Sequence, residues 1–329
     1  MQKIIFLGTD LHGDASEHAA KLVRDLKQFG DVVSIQNRKK REAGSRIIPK
    51  ISENPFLRKL FQAIILPFVL LFLRANHNKI ACFWVADSAY HYFLFLFLKI
   101  IRYKIYFTII SGYDKSYDNL GFCDVIICQS ERMKRKIEER YPNKQIGIIY
   151  PWTDLAIFKP GKRRNYDLIV PSVPYKITDF EERGIDKILE LTSKFKIKII
   201  VRSQEAGDFL KEKAEVVNKI MSDAELSEVM RDAKAVALFY RKNAPDMPLS
   251  SIEALASGCA IVCLDNIGLS EIVIKNKCGI VISEMAEAEN AIQKAISDKK
   301  TGERARKLAE RLFNKQANIK AYEAILTEI

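Results

Sequence analysis

Short apolar runs rich in Ile, Val and Phe recur along this chain, and most are followed by a segment with helical periodicity. Apolar strands that alternate with helices are typical of a parallel sheet covered by helices on both faces. The sequence therefore predicts an α/β fold. The predicted strands are residues 3–8, 31–35, 80–86, 104–110, 124–128, 146–151, 167–173, 197–202, 235–240 and 260–265. The predicted helices are residues 15–29, 88–101, 130–140, 184–195, 223–234, 251–257 and 269–275, with a helical tail from about 285 to 329.

The alternating pattern starts again in the second half of the chain, after the polar and basic segment FKPGKRRNYD at 158–167. A chain of 329 residues, of which 48% are apolar, is long enough for about two domains. We predict one domain over residues 1–160 and a second over residues 161–302. A helix over residues 303–329 completes the chain.

Positive charge is concentrated in the first half. Residues 1–150 contain 24 basic and 14 acidic side chains, whereas residues 151–329 contain 29 and 27, so most of the net charge of +12 lies before residue 151. An anionic partner is therefore expected to meet the first half. No nucleic-acid-binding module accompanies this charge, and we predict no nucleic-acid partner.

Two apolar segments of the first half are candidates for contact with a membrane. LFQAIILPFVLLFL at 60–73 has 14 residues, fewer than the roughly 20 that a spanning helix needs, and YFLFLFLKII covers 92–101. Both segments are interpreted as core helices of an α/β domain. Alternatively, one of them presents an apolar face to an anionic bilayer. The basic residues that would surround this face are Arg38, Lys39, Lys40, Arg41, Arg46 and Lys50.

Several kinds of chemistry lack their usual sequence patterns. The chain has no Asp-x-Asp, no phosphate-binding G-x-x-x-x-G-K-[ST], no G-x-G-x-x-G and no G-x-S-x-G, and its four histidines are not spaced as zinc ligands. We predict no metal and no cofactor. Six cysteines without a C-x-x-C and an N-terminus without an export signal indicate reduced thiols in a cytoplasmic protein, located in the cytosol or on the inner face of the membrane.

The stretch from Met221 to Val273 is the most informative part of the sequence. Ser222 and Glu225 predict a capping box at the start of helix 223–234. A strand, a loop with the acidic residue Asp246 and a helix containing EALASG, from Glu253 to Gly258, come next. This succession resembles the donor-binding half of retaining glycosyltransferases of the GT-B fold. IIYPWTDLAIFKP at 148–160 is similar to the linker that leaves the first domain of that family.

The resemblance implies two Rossmann-like domains that face each other across a cleft. It implies a UDP- or GDP-linked sugar as donor, transferred with retention of configuration and without a metal to a saccharide or a lipid-linked acceptor. In such enzymes the last helix commonly returns to the first domain. The implied donor-binding residues are Gly13, Lys176, Arg183, Met221, Leu249, Ser250, Ser251 and Glu253, and the implied catalytic residues are Asp114 and Asp246.

Physical chemistry supports the same site in the second domain. A nucleotide diphosphate gains negative charge as it leaves, and a helix N-terminus with cationic side chains stabilises such charge without a metal. The amides of Leu249, Ser250 and Ser251 begin a helix at the carboxyl end of a parallel strand, where these folds bind ligands. Arg183 corresponds to the basic residue of the family's Lys-Gly or Arg-Gly pair.

Each of these residues also has a simpler interpretation. Glu253 follows Ser250 at capping-box spacing, and Arg183 and Lys176 fit solvated surface residues. Asp114 and Asp246 fit turns, and Asp14, beside Gly13, fits a helix N-cap.

Two positions depart from the family pattern. Pro245 stands where the family has an acidic residue, and Ser111 stands where it often has a histidine. These departures make a non-catalytic binding subunit of this fold an alternative to a transferase. A nucleotide-sugar epimerase of the same fold is a further alternative, and it would need an additional set of acid and base residues.

Overall fold

The structure, a computed structural model, consists of two compact units. Residues 1–149 and 319–329 form the first unit, and residues 150–318 form the second. These divisions differ from the predicted ones at 160 and 302. The structure describes residues 4–8, 21–22, 24–26, 29–34, 45–47, 80–83, 89–110, 119–171, 173–174, 176–242 and 244–327.

The first unit contains a parallel sheet of seven strands in the order β3-β2-β1-β4-β5-β6-β7. The strands are β1 (Ile4–Gly8), β2 (Gly30–Ser34), β3 (Ser45–Ile47), β4 (Ile80–Phe83), β5 (Lys104–Thr108), β6 (Val125–Cys128) and β7 (Gln145–Ile148). The helices with full bounds are α1 (Ala89–Ile100) and α2 (Glu131–Arg140). Residues 21–22 and 24–26 are also helical, within the predicted helix 15–29.

The core of this unit lies between α1 and the central strands. Phe95 and Leu98 on the inner face of α1 are fully buried together with Ile105 and Phe107 of β5. The end of the chain also belongs to this unit, where the hydroxyls of Tyr322 and Thr108 share a hydrogen bond of 2.9 Å. No helix within the described residues is both long and apolar enough to cross a membrane. The segment 60–73 and the basic residues around it lie outside the described residues, except that the backbone of Arg46 lies in β3.

The second unit is a parallel sheet of six strands in the order β10-β9-β8-β11-β12-β13, with helices in the connections. Its strands are β8 (Tyr166–Val170), β9 (Ile197–Val201), β10 (Glu215–Asn218), β11 (Ala233–Leu238), β12 (Ala260–Leu264) and β13 (Gly279–Ile282). Its helices are α3 (Ile185–Leu191), α4 (Gln204–Leu210), α5 (Asp223–Arg231), α6 (Leu249–Ala256), α7 (Gly268–Asn276), α8 (Ala288–Ser297) and α9 (Thr301–Leu312), and α10 (Lys315–Thr327) continues into the first unit. Counted within the unit, the strand order is 3-2-1-4-5-6, as in Rossmann folds.

The predicted α/β architecture is confirmed, and the differences lie at the edges of the sheets and in the tail. The strands β3, β10 and β13 and the helix α4 were not predicted. All three strands are edge strands, which need shorter apolar runs than central ones. The tail predicted from residue 285 is helical, as three helices, α8, α9 and α10. The predicted helix over residues 303–329 is wrong in one respect: it is divided between α9 and α10, because the chain turns at Phe313.

The predicted capping box at the start of α5 is present. Ser222 Oγ accepts from the Glu225 amide, and the Glu225 carboxylate accepts from the Ser222 amide at 2.8 Å. The Lys219 ammonium, 2.6 Å from the same carboxylate, and these bonds from Ser222 lower the pKa of Glu225 to about 2.

This capping box makes the stability of the fold sensitive to acid. The folded state holds the Glu225 proton more weakly than the unfolded state, in which the pKa is near 4.5. The capping contribution is therefore complete above pH 4.5 and is lost as the pH falls towards 2. We expect the melting temperature of the parent to decline more steeply over this interval than that of Glu225→Gln. Parallel slopes for the two proteins would contradict this expectation.

Candidate functional site

The candidate site lies at the carboxyl edge of the second sheet. The strands β8 and β11 are neighbours there, but they are not consecutive in the sequence. After β8 the chain forms β9 and β10 on one side of β8, and it then returns to form β11 on the opposite side. The connections that follow these two strands consequently diverge, which is the position where open α/β sheets bind ligands. Arg183 lies in the connection after β8, and α6 follows the connection after β11.

The start of α6 has no side chain that caps it. Pro248 is the N-cap residue, and it has no side-chain hydrogen bond to the helix. Ser251 is fully buried, and both its amide and its hydroxyl donate to the Pro248 carbonyl, at 3.0 and 2.5 Å. Among the described residues, no acceptor is found for the amides of Leu249 and Ser250. A helix start of this kind attracts an anion.

The other end of α6 is held by two arginines. Arg306 of α9 donates to the Ala256 carbonyl at 2.9 Å and to the Phe158 carbonyl at 2.7 Å. Arg164, which precedes β8, donates to the Ser257 carbonyl at 3.1 Å. These bonds satisfy carbonyls that have no partner within the helix and place positive charge at its negative end. The helix is therefore fixed in position at its C-terminus.

Glu253 is buried inside α6, with 6% of its surface exposed. The proposed alternative, a capping box with Ser250, is wrong because the N-cap is Pro248 and Ser250 is already the second residue of the helix. Its neighbours Ile252, Ala254 and Leu255 are fully buried. A carboxylate that a helix keeps in such surroundings is costly to desolvate, and such residues are frequent at functional sites.

Arg183 lies against the connection that follows β11. Its guanidinium carbon is 4.7 Å from the centre of the Tyr240 ring, within the range of a cation–π contact. Gly184 follows it in the left-handed conformation, with φ of +66°, and a Cβ at this position would lie 2.5 Å from Phe239 Cβ. Only a glycine allows the chain to approach β11 this closely. The Arg-Gly pair therefore places a guanidinium beside the loop that leads to α6.

Further bonds, which the sequence analysis missed, join the loops of this edge. Arg241 makes a two-point contact with the Asp186 carboxylate, at 2.8 and 3.1 Å, and its amide donates to the Glu182 carbonyl at 2.7 Å. Asn266, which follows β12, donates to the Tyr240 carbonyl at 2.6 Å. The connections after β8, β11 and β12 therefore form one bonded assembly. The only hint in the sequence was the basic start of RKNAPD.

Asp246 occupies a different environment from that of an exposed catalytic carboxylate. Only 4% of its surface is exposed, and its Oδ1 accepts from the Gly268 amide at 2.9 Å. Its carbonyl accepts from the Leu269 amide at 3.2 Å. Asp246 thus binds the start of α7, where the helix dipole favours a negative charge. The bonds fix the loop before α6 to the helix that follows β12.

The other predicted residues are dispersed. Lys176 is exposed in the connection after β8, and Met221 is half-buried immediately before α5. Gly13, Asp14, Ser111 and Asp114 lie outside the described residues. Within the described part of the chain, no three His, Cys, Asp or Glu side chains are grouped as metal ligands.

Comparison with models of known families gives a match within the second unit. Residues 202–312, which include α6, match the family model described as glycosyl transferases group 1. A search of curated proteins gives no match.

Solved structures are similar over the whole chain. Sucrose-phosphate synthase from Thermosynechococcus elongatus has 14% identity and a TM-score of 0.73, with 99% of this chain and 98% of that one covered. HepE from Anabaena, in complex with UDP and glucose, has 12% identity and a TM-score of 0.74, with both chains fully covered. WaaG, a glycosyltransferase involved in lipopolysaccharide biosynthesis, has 12% identity and a TM-score of 0.67, with 99% and 100% covered. The GT-B fold that the resemblance implies is confirmed.

Proposed function

We propose that this chain, which has the GT-B fold and carries a glycosyl transferases group 1 domain over residues 202–312, moves a sugar from a nucleotide diphosphate to a hydroxyl acceptor. The observation that carries the proposal is the uncapped start of α6. Arg183 contacts Tyr240 in the loop that leads to this helix, and the buried Glu253 lies about one turn into it. The proposed donor is a UDP-linked or a GDP-linked sugar. HepE, similar in fold, binds UDP-glucose, which makes UDP the first nucleotide to examine.

The pyrophosphate of the donor would lie at the start of α6. The amides of Leu249 and Ser250 would donate to its oxygens, because Ser251 uses both of its donors within the chain. Arg183 and the exposed Lys176 would supply positive charge from the connection after β8. Charge that develops on the leaving phosphate is stabilised by donors fixed in advance, and the bonds of Arg306 and Arg164 fix this helix.

Glu253 would accept hydrogen bonds from the two ribose hydroxyls, and backbone groups near Met221 would contact the base. These two roles come from the family resemblance. The structure supports the assignment only in that Glu253 is a carboxylate in the helix whose start would hold the pyrophosphate. Base recognition by backbone groups leaves the choice between uracil and guanine to experiment.

The reaction would proceed with retention and without a metal. In a same-face substitution the bond from the anomeric carbon to the phosphate oxygen breaks, and the acceptor oxygen bonds to the same face of the sugar. The departing phosphate oxygen takes the proton of the acceptor hydroxyl, so no protein base is required. Asp114 remains a candidate for contact with the donor sugar. We assign Asp246 a positioning role, since its carboxylate bonds to the Gly268 amide.

The acceptor would be bound by the first unit, and a saccharide or a lipid-linked saccharide fits the proposal. WaaG, also similar in fold, takes part in lipopolysaccharide biosynthesis. Gly13 would let the acceptor and the donor phosphate approach the backbone closely.

The proposal is tested by a thermal-shift screen with UDP, GDP, ADP and their sugar conjugates, each with and without EDTA. A ligand at a hundred times its dissociation constant adds about 2.7 kcal/mol to the free energy of unfolding. We expect one nucleotide to stabilise the protein strongly, and EDTA to have no effect. Stabilisation by none of them would refute the donor site.

A second measurement separates the transferase from its rivals. Slow hydrolysis of the preferred donor in the absence of acceptor would support an enzyme with an activated leaving group. Nucleotide binding without hydrolysis or transfer to any acceptor would indicate a non-catalytic subunit, which the proline at position 245 favours. Conversion of the donor to its epimer would indicate the epimerase.

Replacement of Arg183 by Ala is expected to lower kcat/KM for donor hydrolysis by at least about tenfold, the value of one charge-assisted hydrogen bond to a phosphate. The fold should persist, because the side chain is only half-buried. Arg163→Ala, which removes an exposed arginine elsewhere in the same unit, serves as the matched control and should leave the rate unchanged. Equal rates for the two variants would remove Arg183 from the phosphate site.

A further inference from the structure

The helix α1 has an unusual surface for a helix that borders solvent. Over Ala89–Ile100 its only side chain with a full charge is Lys99. Surface helices normally present polar residues to water, and a helix that is apolar all round is normally enclosed. Here the inner face is buried, but the outer face is exposed and equally apolar. Its exposed residues, which we call the α1 patch, are Tyr92, Phe93, Leu96 and Ile100.

The α1 patch is a continuous strip. Residues 93, 96 and 100 are separated by one helical turn each, so their side chains lie on the same face. Phe93 is 65% exposed and Ile100 is 70% exposed. Tyr92 extends the strip through edge-to-face contact with Phe122, whose ring centre is 5.1 Å away. A strip of this kind is a recognised mark of a surface that binds a membrane or a protein.

Three cationic side chains lie at or just after the C-terminal end of α1, and one of them is paired with a carboxylate. Arg102 and Lys104 are exposed immediately after the helix, and Lys99 forms an ion pair of 2.5 Å with Asp124. Arg102 closes the helix in the left-handed conformation, with φ of +62°, and the Tyr103 amide donates to the Leu98 carbonyl at 2.8 Å. The helix therefore ends in a fixed turn after Ile100, and the two cationic side chains that follow it have no ion-pair partner within the described part of the chain.

We propose that the α1 patch lies on the surface of an anionic lipid bilayer. Its aromatic and aliphatic side chains would enter the boundary between headgroups and acyl chains, while Arg102 and Lys104 would contact the phosphates. A second copy of this chain is a less suitable occupant, because the two facing halves would each carry an excess of ten positive charges. The inference does not depend on glycosyl transfer.

The test is sedimentation of the full chain with vesicles of equal parts phosphatidylglycerol and phosphatidylcholine, compared with vesicles of phosphatidylcholine alone. We expect the parent to bind the anionic vesicles preferentially, and more weakly as salt increases. Phe93→Gln and Ile100→Gln should each weaken binding about tenfold, since each removes one inserted apolar side chain. The control Ile274→Gln, at a 62% exposed isoleucine of the second unit, should bind as the parent does.

The charge contribution is tested separately. Arg102→Asn removes the charge with a residue that tolerates the left-handed conformation, and Lys104→Gln removes the second charge. Each should weaken binding to anionic vesicles about fivefold and reduce its dependence on salt.

Other occupants of the α1 patch give different results. Failure of the parent to bind vesicles, or binding that Ile100→Gln leaves unchanged, would overturn the proposal. Light scattering that shows a dimer of the parent and a monomer of Ile100→Gln would identify a self-interface instead. A melting temperature lowered by Ile100→Gln would show that the chain itself covers this face. UDP and GDP binding by the variants should equal that of the parent, which separates this result from the fate of the donor site.

Discussion

Replacement of Glu253 by Ala is expected to weaken donor binding about a hundredfold. Two ribose hydroxyls that donate to a carboxylate contribute about 1.5 kcal/mol each, and both contributions disappear. Alanine is a good helix former, and the buried segment around position 253 is already apolar, so α6 should persist. Glu253→Gln, which keeps the volume and one acceptor, should fall between the parent and the alanine variant. Isothermal titration with the preferred nucleotide measures all three.

The assignment to the ribose is tested with 2′-deoxy and 3′-deoxy forms of that nucleotide. The parent should bind the deoxy forms more weakly than the ribose form, whereas Glu253→Ala should not distinguish them. This design is a double-mutant cycle, in which the interaction is measured by the loss of additivity. If the alanine variant retains the full preference for the ribose form, then Glu253 binds something else.

Replacement of Gly184 by Ala is expected to destabilise the second unit by about 3 kcal/mol. A left-handed conformation costs a residue with a Cβ about 1 kcal/mol, and overpacking costs about 1–3 kcal/mol more. The added Cβ would meet Phe239 Cβ at 2.5 Å and the Phe239 carbonyl oxygen at 2.6 Å. Because the carbonyl belongs to the main chain beside β11, the contact cannot be relieved by rotation of a side chain.

The matched control for this change is Gly121→Ala. Its added Cβ would have Tyr141 Cε1 as its nearest neighbour, at an ordinary 3.9 Å. Denaturant unfolding should show a lower midpoint for Gly184→Ala alone. The variant should also bind nucleotide poorly where it remains folded, because Arg183 moves together with its neighbour. An unchanged midpoint would contradict this prediction, because it would mean that the loop after β8 accommodates the added Cβ without a loss of stability.

Local signals in the sequence predicted the parts of the structure that local interactions determine. The Ser222–Glu225 box depends on residues three positions apart, and the central strands depend on continuous apolar runs. The pattern around Glu253 likewise lies within one helix. In contrast, the edge strand β3 has three residues and no apolar run of its own to identify it.

The bonds that assemble the candidate site were not predictable in this way. Arg241 and Asp186 are 55 positions apart, and Asp246 and Gly268 are 22 positions apart. Such pairs come together because the strand order places the loops after β8, β11 and β12 at one edge of the sheet. Asp246 shows the consequence: its residue type predicted a turn or a catalytic group, and its partner is the start of a distant helix.

The chain enters and leaves the second unit at neighbouring positions. Thr153 pairs with Asn314 as a parallel bridge, and the Thr153 amide donates to the Phe313 carbonyl at 3.1 Å. The residues between Thr153 and Phe313 therefore form one long loop whose two ends are in contact. The contact between the two ends offsets part of the conformational entropy that is lost when such a loop closes. Because these two points are adjacent, we expect a short peptide to suffice to join them in a circular permutant of the second unit.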